Sequence, residues 1–228
     1  IPNALDLDAL SLRSFPVIIN QGNHFSINLA DKASSNSEEN NILLRYHTQM
    51  AQTRELAHAM LDNLAETAPD AFVTLIGNDT AYPNKAIGML IANKQVKKLY
   101  ASHIGTNADT IQQFNEKTLD IEFCPQGTLA ERIRCGGAGL GGVLTKTGLG
   151  TIVEEGKQKV MVDGEEYLLE KPLHADVALI GASICDTMGN CIYKGTTQNF
   201  NPMMAAAADL VIVETKELVE VGQIPMES

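Results

Sequence analysis

Positive charge is scarce in this sequence, and tryptophan is absent from it. The 228 residues include 17 lysines and arginines against 28 aspartates and glutamates, which gives a formal net charge of -11. Binding to nucleic acid requires a surface rich in lysine and arginine that neutralises phosphates. The composition therefore excludes nucleic acid as a partner. Any anionic ligand would depend on backbone N–H groups and a few local cations.

Long apolar runs are also missing. The run at residues 176–184 is too short to cross a bilayer, and the run at residues 203–213 is interrupted by Asp209. The first residues include Asp6 and Asp8, whereas a secretory signal needs a basic start and an unbroken apolar segment. We therefore expect a cytoplasmic protein that does not span a membrane.

Cysteine and histidine are few and show no metal-binding or redox spacing. No CxxC, HxH or HExxH pattern occurs, so the sequence predicts neither a disulfide framework nor a structural metal. We expect four free thiols in a reducing compartment and no bound metal or cofactor. The cysteines are Cys124, Cys135, Cys185 and Cys191.

Strand-like and helix-like segments alternate through the middle of the chain, which is 44% hydrophobic. The periodicity predicts helices at residues 51–65, 85–93 and 108–117, and strands at residues 72–76, 98–102 and 119–124. A capping box, Thr128-Leu-Ala-Glu131, predicts the start of a further helix that ends near Arg134. Such alternation is typical of parallel βαβ units, and it predicts an open, mainly parallel α/β sheet flanked by helices.

A small antiparallel insertion interrupts this pattern. Residues 159–162 and 166–169 read as two strands joined by Asp163-Gly164, a strong signal for a type I′ hairpin. The chain then returns to the main pattern with a strand at residues 177–184, a turn at 188–190, a helix that begins at Asn201-Pro202 and a strand at 210–213.

The first fifty residues differ in composition from the rest. Asparagine, serine and aspartate are dense there, and the polar tract at residues 33–41 is predicted to be a loop. We therefore divide the chain into a divergent N-terminal segment, residues 1–50, and one domain, residues 51–228.

A glycine-rich stretch, residues 136–150, contains the pattern G-x-G-x-x-G at Gly137 to Gly142. A dinucleotide fingerprint must follow a strand and open a helix, whereas this pattern follows a predicted helix and precedes a non-helical segment. Residues 150–158 have the wrong glycine spacing for a P-loop, with Gln158 where serine or threonine is needed. The glycines either permit close approach of a ligand or partner, or form a purely structural loop.

Gln126 and Gly127 are predicted to form a tight turn between the end of a strand and the start of a helix. Ligands of open α/β sheets bind at such positions. The amide N–H₂ of Gln126 could polarise a carbonyl oxygen. The alternative is that Gln126 is only a turn residue.

Six motifs, in order along the chain, resemble those of the A subunit of class I coenzyme A transferases. The similarity extends from about Leu61 to Glu220. The motifs are Asn78-Asp-Thr80, Ser102-His-Ile-Gly-Thr-Asn107, Pro125-Gln-Gly-Thr-Leu-Ala-Glu-Arg-Ile-Arg134, Gly136-Gly-Ala-Gly-Leu-Gly-Gly142, Thr147-Gly-Leu-Gly-Thr151 and Asn199-Phe-Asn-Pro202.

This resemblance implies a type I CoA-transferase fold (NagB/RpiA-like) and ping-pong transfer of CoA between a short-chain acyl-CoA and acetate or a 3-oxo acid such as acetoacetate. Coenzyme A is then a substrate. The nucleophile is a glutamate in a Ser-Glu-Asn-Gly motif of a B subunit; the nearest string here, residues 37–41, lacks the glycine. The expected assembly is a heterotetramer or a larger heteromer.

The resemblance also implies roles for particular residues. Gln126 would polarise the reacting carbonyl, and together with residues 136–142 it would face the partner's glutamate. The implied substrate and CoA contacts are Asn78, Asn107, Gly127, Gly136, Gly137, Gly139, Gly141 and Gly142.

One departure concerns the N-terminus, where the family has Gly-Gly-Phe followed by Gly-x-Pro and this chain has only Gly22-Asn-His-Phe25. This contrast leaves two alternatives open: an inactive or regulatory paralogue, and a small-ligand-binding sensor domain on a related fold.

Overall fold

A computed structural model describes residues 72–83, 85 and 87–225, and the backbone of four N-terminal strands. These strands are β1 (Ala4–Asp6), β2 (Val17–Asn20), β3 (Ser26–Asn28) and β4 (Asn41–Tyr46). The helix predicted at residues 51–65 lies outside the described residues. So does the predicted polar loop, except for Asn41, which begins β4.

The main sheet has the strand order β2-β13-β11-β4-β5-β6-β7, and all neighbours along it are parallel. A short strand, β12, pairs antiparallel with β11, while β1 and β3 form a separate parallel pair. The prediction of a mainly parallel sheet is confirmed. The remaining strands of this sheet are β5 (Phe72–Ile76), β6 (Val96–Ala101), β7 (Asp120–Phe123), β11 (Ala175–Asp186), β12 (Cys191–Ile192) and β13 (Ala208–Val219).

Strands from the N-terminal segment lie within this sheet. β4 pairs with β5 on one side and β11 on the other, and β2 pairs with β13 at the sheet edge. The segment at residues 1–50 therefore contributes backbone hydrogen bonds to the same sheet as the rest of the chain. The domain boundary at residue 50 stays a prediction.

Four α-helices are described: α1 (Gly88–Ala92), α2 (Ala108–Asn115), α3 (Gln126–Gly137) and α4 (Asn201–Ala205). Two 3₁₀ turns, η1 (Ile152–Glu154) and η2 (Gly195–Gln198), accompany them. The helix predicted at residue 85 begins three residues later, after a turn in which the Lys85 N–H donates to the Tyr82 carbonyl. Among the described residues, no helix is long and apolar enough to cross a membrane.

The start of α3 differs from the prediction. The helix begins at Gln126 with Pro125 as its N-cap residue, and no side chain caps it. Thr128 and Glu131 lie inside the helix, so the predicted capping box is wrong, and Gln126 and Gly127 form the first turn of the helix. Pro125 explains the earlier start. Its backbone is extended (φ -51°, ψ 138°), as is usual at an N-cap position, so the helix begins at the next residue.

The predicted antiparallel insertion is confirmed as a three-stranded sheet of order β8-β10-β9. Its strands are β8 (Val143–Thr145), β9 (Gln158–Val162) and β10 (Glu165–Glu170). Both turn residues of the β9–β10 hairpin have positive φ, 50° at Asp163 and 82° at Gly164. A type I′ turn requires this geometry, so the Asp-Gly pair specified the hairpin correctly.

Helix α3 packs one face into the main core. Leu129 and Ile133, one helical turn apart, are fully buried against Ile180 of β11 and against Phe200 and Met204 of the α4 region. Burial of large apolar side chains of this kind contributes roughly 1.5–3 kcal/mol each relative to exposure. This packing fixes the position of both ends of α3.

Gly136, in the last turn of α3, has no room for a side chain. A Cβ at Gly136 would lie 2.0 Å from the Leu173 carbonyl oxygen, whereas a Cβ at Gly141 would have no heavy atom within 4 Å. We expect Gly136→Ala to lower the free energy of unfolding by about 1–3 kcal/mol, because the backbone clash outweighs the better helix propensity of alanine. Urea denaturation measures this, with Gly141→Ala as the matched control. Equal stability of the two variants would contradict the expectation.

Candidate active site

Three loops converge at the carboxyl edge of the main sheet. Each follows a neighbouring parallel strand: residues 77–80 follow β5, residues 102–107 follow β6, and residues 124–126 follow β7. The carboxyl edge is where open α/β sheets bind ligands. Three of the six motifs in the sequence supply these loops.

The N-terminus of α3 opens onto this edge. Gln126 and Gly127 are exposed, no side chain caps the helix, and a Cβ at Gly127 would meet nothing within 4 Å. The first N–H groups of a helix carry partial positive charge and can donate to an anion or to a polarised carbonyl oxygen. This helix end therefore offers a donor-rich and sterically open surface.

Ser102 joins the three loops. Its Oγ lies 2.6 Å from the Asn78 carbonyl oxygen and 3.2 Å from Oε1 of Gln126. The hydroxyl has one proton, so it donates mainly to the nearer acceptor, the Asn78 carbonyl oxygen. The longer contact places the exposed Gln126 side chain beside Ser102. Sequence analysis included Ser102 in a motif but gave it no role.

Asn107 has a structural position at this edge. Its side chain is fully buried, its Oδ1 accepts from the N–H groups of Asp109 and Thr110 at 3.0 and 3.2 Å, and its Nδ2 donates to the Thr80 carbonyl at 3.0 Å. These bonds cap α2 and attach it to the loop after β5. The structure therefore places Asn107 behind the open surface.

Asp79 organises the same loop, a role that sequence analysis missed. Its Oδ1 accepts from the backbone N–H groups of Thr80 and Ala81 and, at 2.6 Å, from the hydroxyl of Thr106. Ala81 has a φ of 57°, in the left-handed region that non-glycine residues rarely adopt. The Asp-Thr pair in the sequence could have indicated such an Asx turn.

A buried charge network lies along α3 behind the open surface. Arg132 Nη1 lies 2.6 Å from Glu122 Oε1 and 3.8 Å from Glu170 Oε2, and Lys157 Nζ lies 2.5 Å from Glu170 Oε1. Arg132 Nε also donates to the Lys171 carbonyl at 2.8 Å. Two cations face two carboxylates, so the network is neutral. It connects α3 to β7 and to the antiparallel insertion.

Cys124, which follows β7, belongs to this network and is not a candidate nucleophile. Its sulfur lies 2.9 Å from Arg132 Nη1. Burial raises the pKa of the Cys124 thiol even though the Arg132 charge opposes that rise, so the thiol stays protonated near neutral pH. Burial disfavours the guanidinium charge, but Cys124, Glu122 and Glu170 together hold the pKa of Arg132 above its ordinary value.

The glycine-rich segment lies at the other end of α3. Gln126 is the first residue of the helix and Gly137 the last, so a rise of about 1.5 Å per residue puts them roughly 16 Å apart. The expectation that Gln126 and residues 136–142 face one partner carboxylate stays a prediction. Helix α3 separates them because it continues through both Gly136 and Gly137 instead of ending before the glycines.

The glycines of this segment differ in their surroundings. Gly136 and Gly137 pack against Leu173 and Ala206, and a Cβ at Gly142 would lie 2.6 Å from the Glu170 carbonyl oxygen. A Cβ at Gly139 or Gly141 would meet nothing within 4 Å. Within residues 136–142, only this second pair leaves open space for a ligand or a partner to approach the backbone. Leu140, between them, is 46% exposed.

No group of three or more His, Cys, Asp or Glu side chains in the described part of the chain is placed to hold a metal ion. The donors at the carboxyl edge are an amide, a hydroxyl and backbone N–H groups. Such donors suit the stabilisation of a carbonyl oxygen that gains negative charge.

Comparison with known proteins identifies the family. The sequence model of the family described as Coenzyme A transferase matches residues 48–228. This match covers most of the chain and includes all three loops of the carboxyl edge together with α3. The chain therefore belongs to the coenzyme A transferase family.

Relatives in this family are alpha subunits. Over 155 residues the chain is 61% identical to the acetoacetyl-CoA:acetate/butyrate CoA transferase alpha subunit of Clostridium acetobutylicum, a match that covers 68% of this chain and 71% of the relative. Over 152 residues it is 56% identical to acetate CoA-transferase subunit alpha of Escherichia coli, covering 67% of this chain and 69% of the relative. The resemblance to class I A subunits is confirmed.

A solved structure shares the fold. The acyl-CoA transferase YdiF of Escherichia coli, in its thioester complex with CoA, matches with a TM-score of 0.74 and 18% sequence identity. The match covers 94% of this chain and 44% of that chain, so this protein spans less than half of the matched enzyme. At this level of identity the likeness supports the fold alone.

Proposed function

We propose that this chain is the alpha subunit of a CoA-transferase that moves CoA between a short-chain acyl-CoA and acetate or a 3-oxo acid such as acetoacetate. The observation that carries the proposal is the open, uncapped N-terminus of α3, where Gln126 lies beside Ser102 at the carboxyl edge of the sheet. The names of the alpha-subunit relatives support the choice of substrates.

In this proposal the chain supplies the polarising half of the active site. A glutamate carboxylate of a beta subunit attacks the thioester carbonyl carbon, and negative charge develops on the carbonyl oxygen. The Gln126 N–H₂ donates to that oxygen, and the first N–H groups of α3 add the helix dipole. The C–S bond breaks, which gives an acyl–glutamyl anhydride and the CoA thiolate. The thiolate then attacks the glutamyl carbonyl, which releases the carboxylate anion and gives the enzyme–CoA thioester.

The other residues proposed to contact the substrate or CoA have different roles, according to where they lie. Gly127, in the first turn of α3, lets the thioester approach the helix N-terminus, and Asn78 holds the adjoining loop through Ser102. Asn107 acts indirectly by fixing the loop after β5. Gly139 and Gly141 form the part of the glycine-rich segment open to CoA or to the beta subunit, whereas Gly136, Gly137 and Gly142 permit close packing.

The proposed assembly is a heterotetramer or larger heteromer with a beta subunit, located in the cytoplasm. The naming of the relatives as alpha subunits supports a beta partner. The low content of basic residues also fits this site, because backbone N–H groups and amides can bind the substrate without a cationic surface.

A reconstitution experiment tests the proposed function. We expect the purified chain to show no transferase activity, and co-expression with a beta subunit that carries a Ser-Glu-Asn-Gly motif to produce conversion of acetoacetyl-CoA and acetate into acetyl-CoA and acetoacetate. With acyl-CoA and no acceptor, intact mass spectrometry should find the CoA adduct on the beta chain. Turnover by the single chain, or an adduct on it, would overturn the proposed division of roles. A complex that forms but exchanges nothing would favour the inactive-paralogue alternative.

A further inference from the structure

Two free cysteines face each other at the carboxyl end of β11. Cys185 of β11 is directly opposite Cys191 of β12 in an antiparallel pair, and their sulfur atoms are 3.3 Å apart. Cys185 is buried and Cys191 is half-buried. The cysteine spacing gave no reason to expect a reactive pair, because the two residues meet only through the β11–β12 turn.

The backbone geometry suits a covalent bond between these sulfurs. Directly opposite residues in an antiparallel pair have Cα atoms about 4.5–5.5 Å apart, within the range of about 4.4–6.8 Å that a disulfide spans. Bond formation would bring the sulfurs to about 2.05 Å, which requires a movement of roughly an ångström and no rearrangement of the strands.

The turn that joins the two strands is held in place by Asp186. Its Oδ1 accepts from the N–H groups of Met188 and Asn190 at 3.0 and 2.9 Å, and its Oδ2 accepts from Nδ2 of Asn190 at 2.8 Å. The Asp186 N–H donates to the Asn190 carbonyl at 3.0 Å. These bonds keep the two thiols adjacent, so closure costs little conformational entropy.

The two thiols differ in reactivity. The hydrogen bond between the two thiols lowers the pKa of the Cys191 thiol, and a further one with Tyr193 acts in the same direction, against burial and the nearby Asp186. The hydrogen bond and burial raise the pKa of Cys185. Thiolate character and exposure both increase thiol reactivity. Cys191 is therefore the attacking sulfur, and Cys185 is the resolving one.

We propose that Cys185 and Cys191 form a dithiol modification site that low-molecular-weight disulfides oxidise to an intramolecular disulfide. The Cys191 thiolate attacks one sulfur of the small disulfide RSSR, forms a mixed disulfide and releases RS⁻. Cys185 then loses its proton and attacks the Cys191 sulfur, which expels a second RS⁻ and closes the protein disulfide. The protein loses two electrons and two protons, and RSSR becomes two RSH.

The proposed transferase chemistry uses none of the four cysteines. The other two thiols, Cys124 and Cys135, are each 1% exposed and occur in different elements, after β7 and within α3. In the part of the chain that the structure describes, neither forms a hydrogen bond with another thiol, and burial raises the pKa of Cys124. They serve as internal references for the selectivity of oxidation.

Differential alkylation tests the proposal. The reduced full chain is incubated with oxidised glutathione under native conditions, quenched with N-ethylmaleimide and mapped by mass spectrometry. We expect a linked peptide that contains Cys185 and Cys191, reversed by dithiothreitol, with Cys124 and Cys135 alkylated in full after unfolding. Loss of free Cys191 should be at least about tenfold faster than loss of free Cys124, because thiolate character and access control the rate.

Single substitutions separate the two steps. Cys185→Ser should accumulate a stable glutathione adduct on Cys191, since no resolving thiol remains, and Cys191→Ser should leave Cys185 largely unmodified. Cys135→Ser is the matched control and should close the disulfide as the wild type does. Should the first two variants fail to fold, the wild-type peptide map decides. Equal oxidation of all four cysteines, or complete alkylation of Cys185 and Cys191, would overturn the proposal.

Discussion

Replacing Gln126 with alanine is expected to lower kcat/KM of the assembled transferase by about tenfold to a thousandfold. The amide is exposed at the uncapped N-terminus of α3, where its Oε1 lies 3.2 Å from the Ser102 hydroxyl oxygen. Loss of one preorganised donor to a developing oxyanion has an effect of this size because water reproduces neither its position nor its orientation. The loss should appear mainly in kcat.

The variants Ser102→Ala and Gln112→Ala provide the comparison. Ser102→Ala keeps the amide and removes the hydroxyl beside it, so we expect a smaller decrease in kcat than for Gln126→Ala. Gln112 is exposed on α2, where its Nε2 donates to Glu116 at 2.8 Å, and its replacement should leave the rate unchanged. An unchanged rate for Gln126→Ala in a folded complex would show that Gln126 is a structural residue of the first helical turn.

Replacement of Arg132 with methionine is expected to lower the free energy of unfolding by about 3–5 kcal/mol. This is the usual cost of removing one partner of a buried ion pair and leaving the other charge without it. Methionine retains most of the side-chain volume, so the main change is electrostatic. Glu170 is 2% exposed and would keep Lys157 as its cation, while Glu122, at 33%, would lose its guanidinium partner. The Lys171 carbonyl would also lose its donor.

Arg134→Met is the matched control, because it lies on the same helix two residues further along. Arg134 is 47% exposed and pairs with Glu131, itself 45% exposed, at 2.8 Å. An exposed pair of this kind contributes about 0–1 kcal/mol. Urea denaturation of both variants measures the difference. Equal stabilities would mean that solvent screens the Arg132 network as effectively as a surface pair.

The structure matches the sequence-based predictions where one local signal determines one local structure. The apolar run at residues 72–76 became β5 with the predicted bounds. The Asp163-Gly164 pair gave a turn with two positive φ angles, and Asn201-Pro202 began α4. In each case the backbone preference or the hydrophobic pattern agrees with the final fold, which is typical of natural sequences.

The predictions were wrong or incomplete where the local structure depends on contacts between distant segments of the chain. Thr128 and Glu131 satisfy a capping-box pattern, but Pro125 starts the helix earlier. Gly136 was predicted to lie in a loop, but it is in α3, where the Leu173 carbonyl leaves no space for a Cβ atom. The partners of Arg132 come from β7 and from the insertion, and no spacing in the sequence indicates that they meet. The continuation of α3 through Gly136 and Gly137 was missed for the same reason.

The strand order of the main sheet constrains how the chain folds as it leaves the ribosome. β4 can pair with β5 soon after both are made, but its other neighbour, β11, comes from the far end of the chain. β2 stays unpaired for longer, since its partner β13 is the last of the strands that the structure describes. At synthesis rates of about 5–20 residues per second, these strand edges stay unpaired for seconds. Nascent chains of this protein therefore present sheet edges to chaperones. Premature termination before β11 leaves β4 without one of its two neighbouring strands.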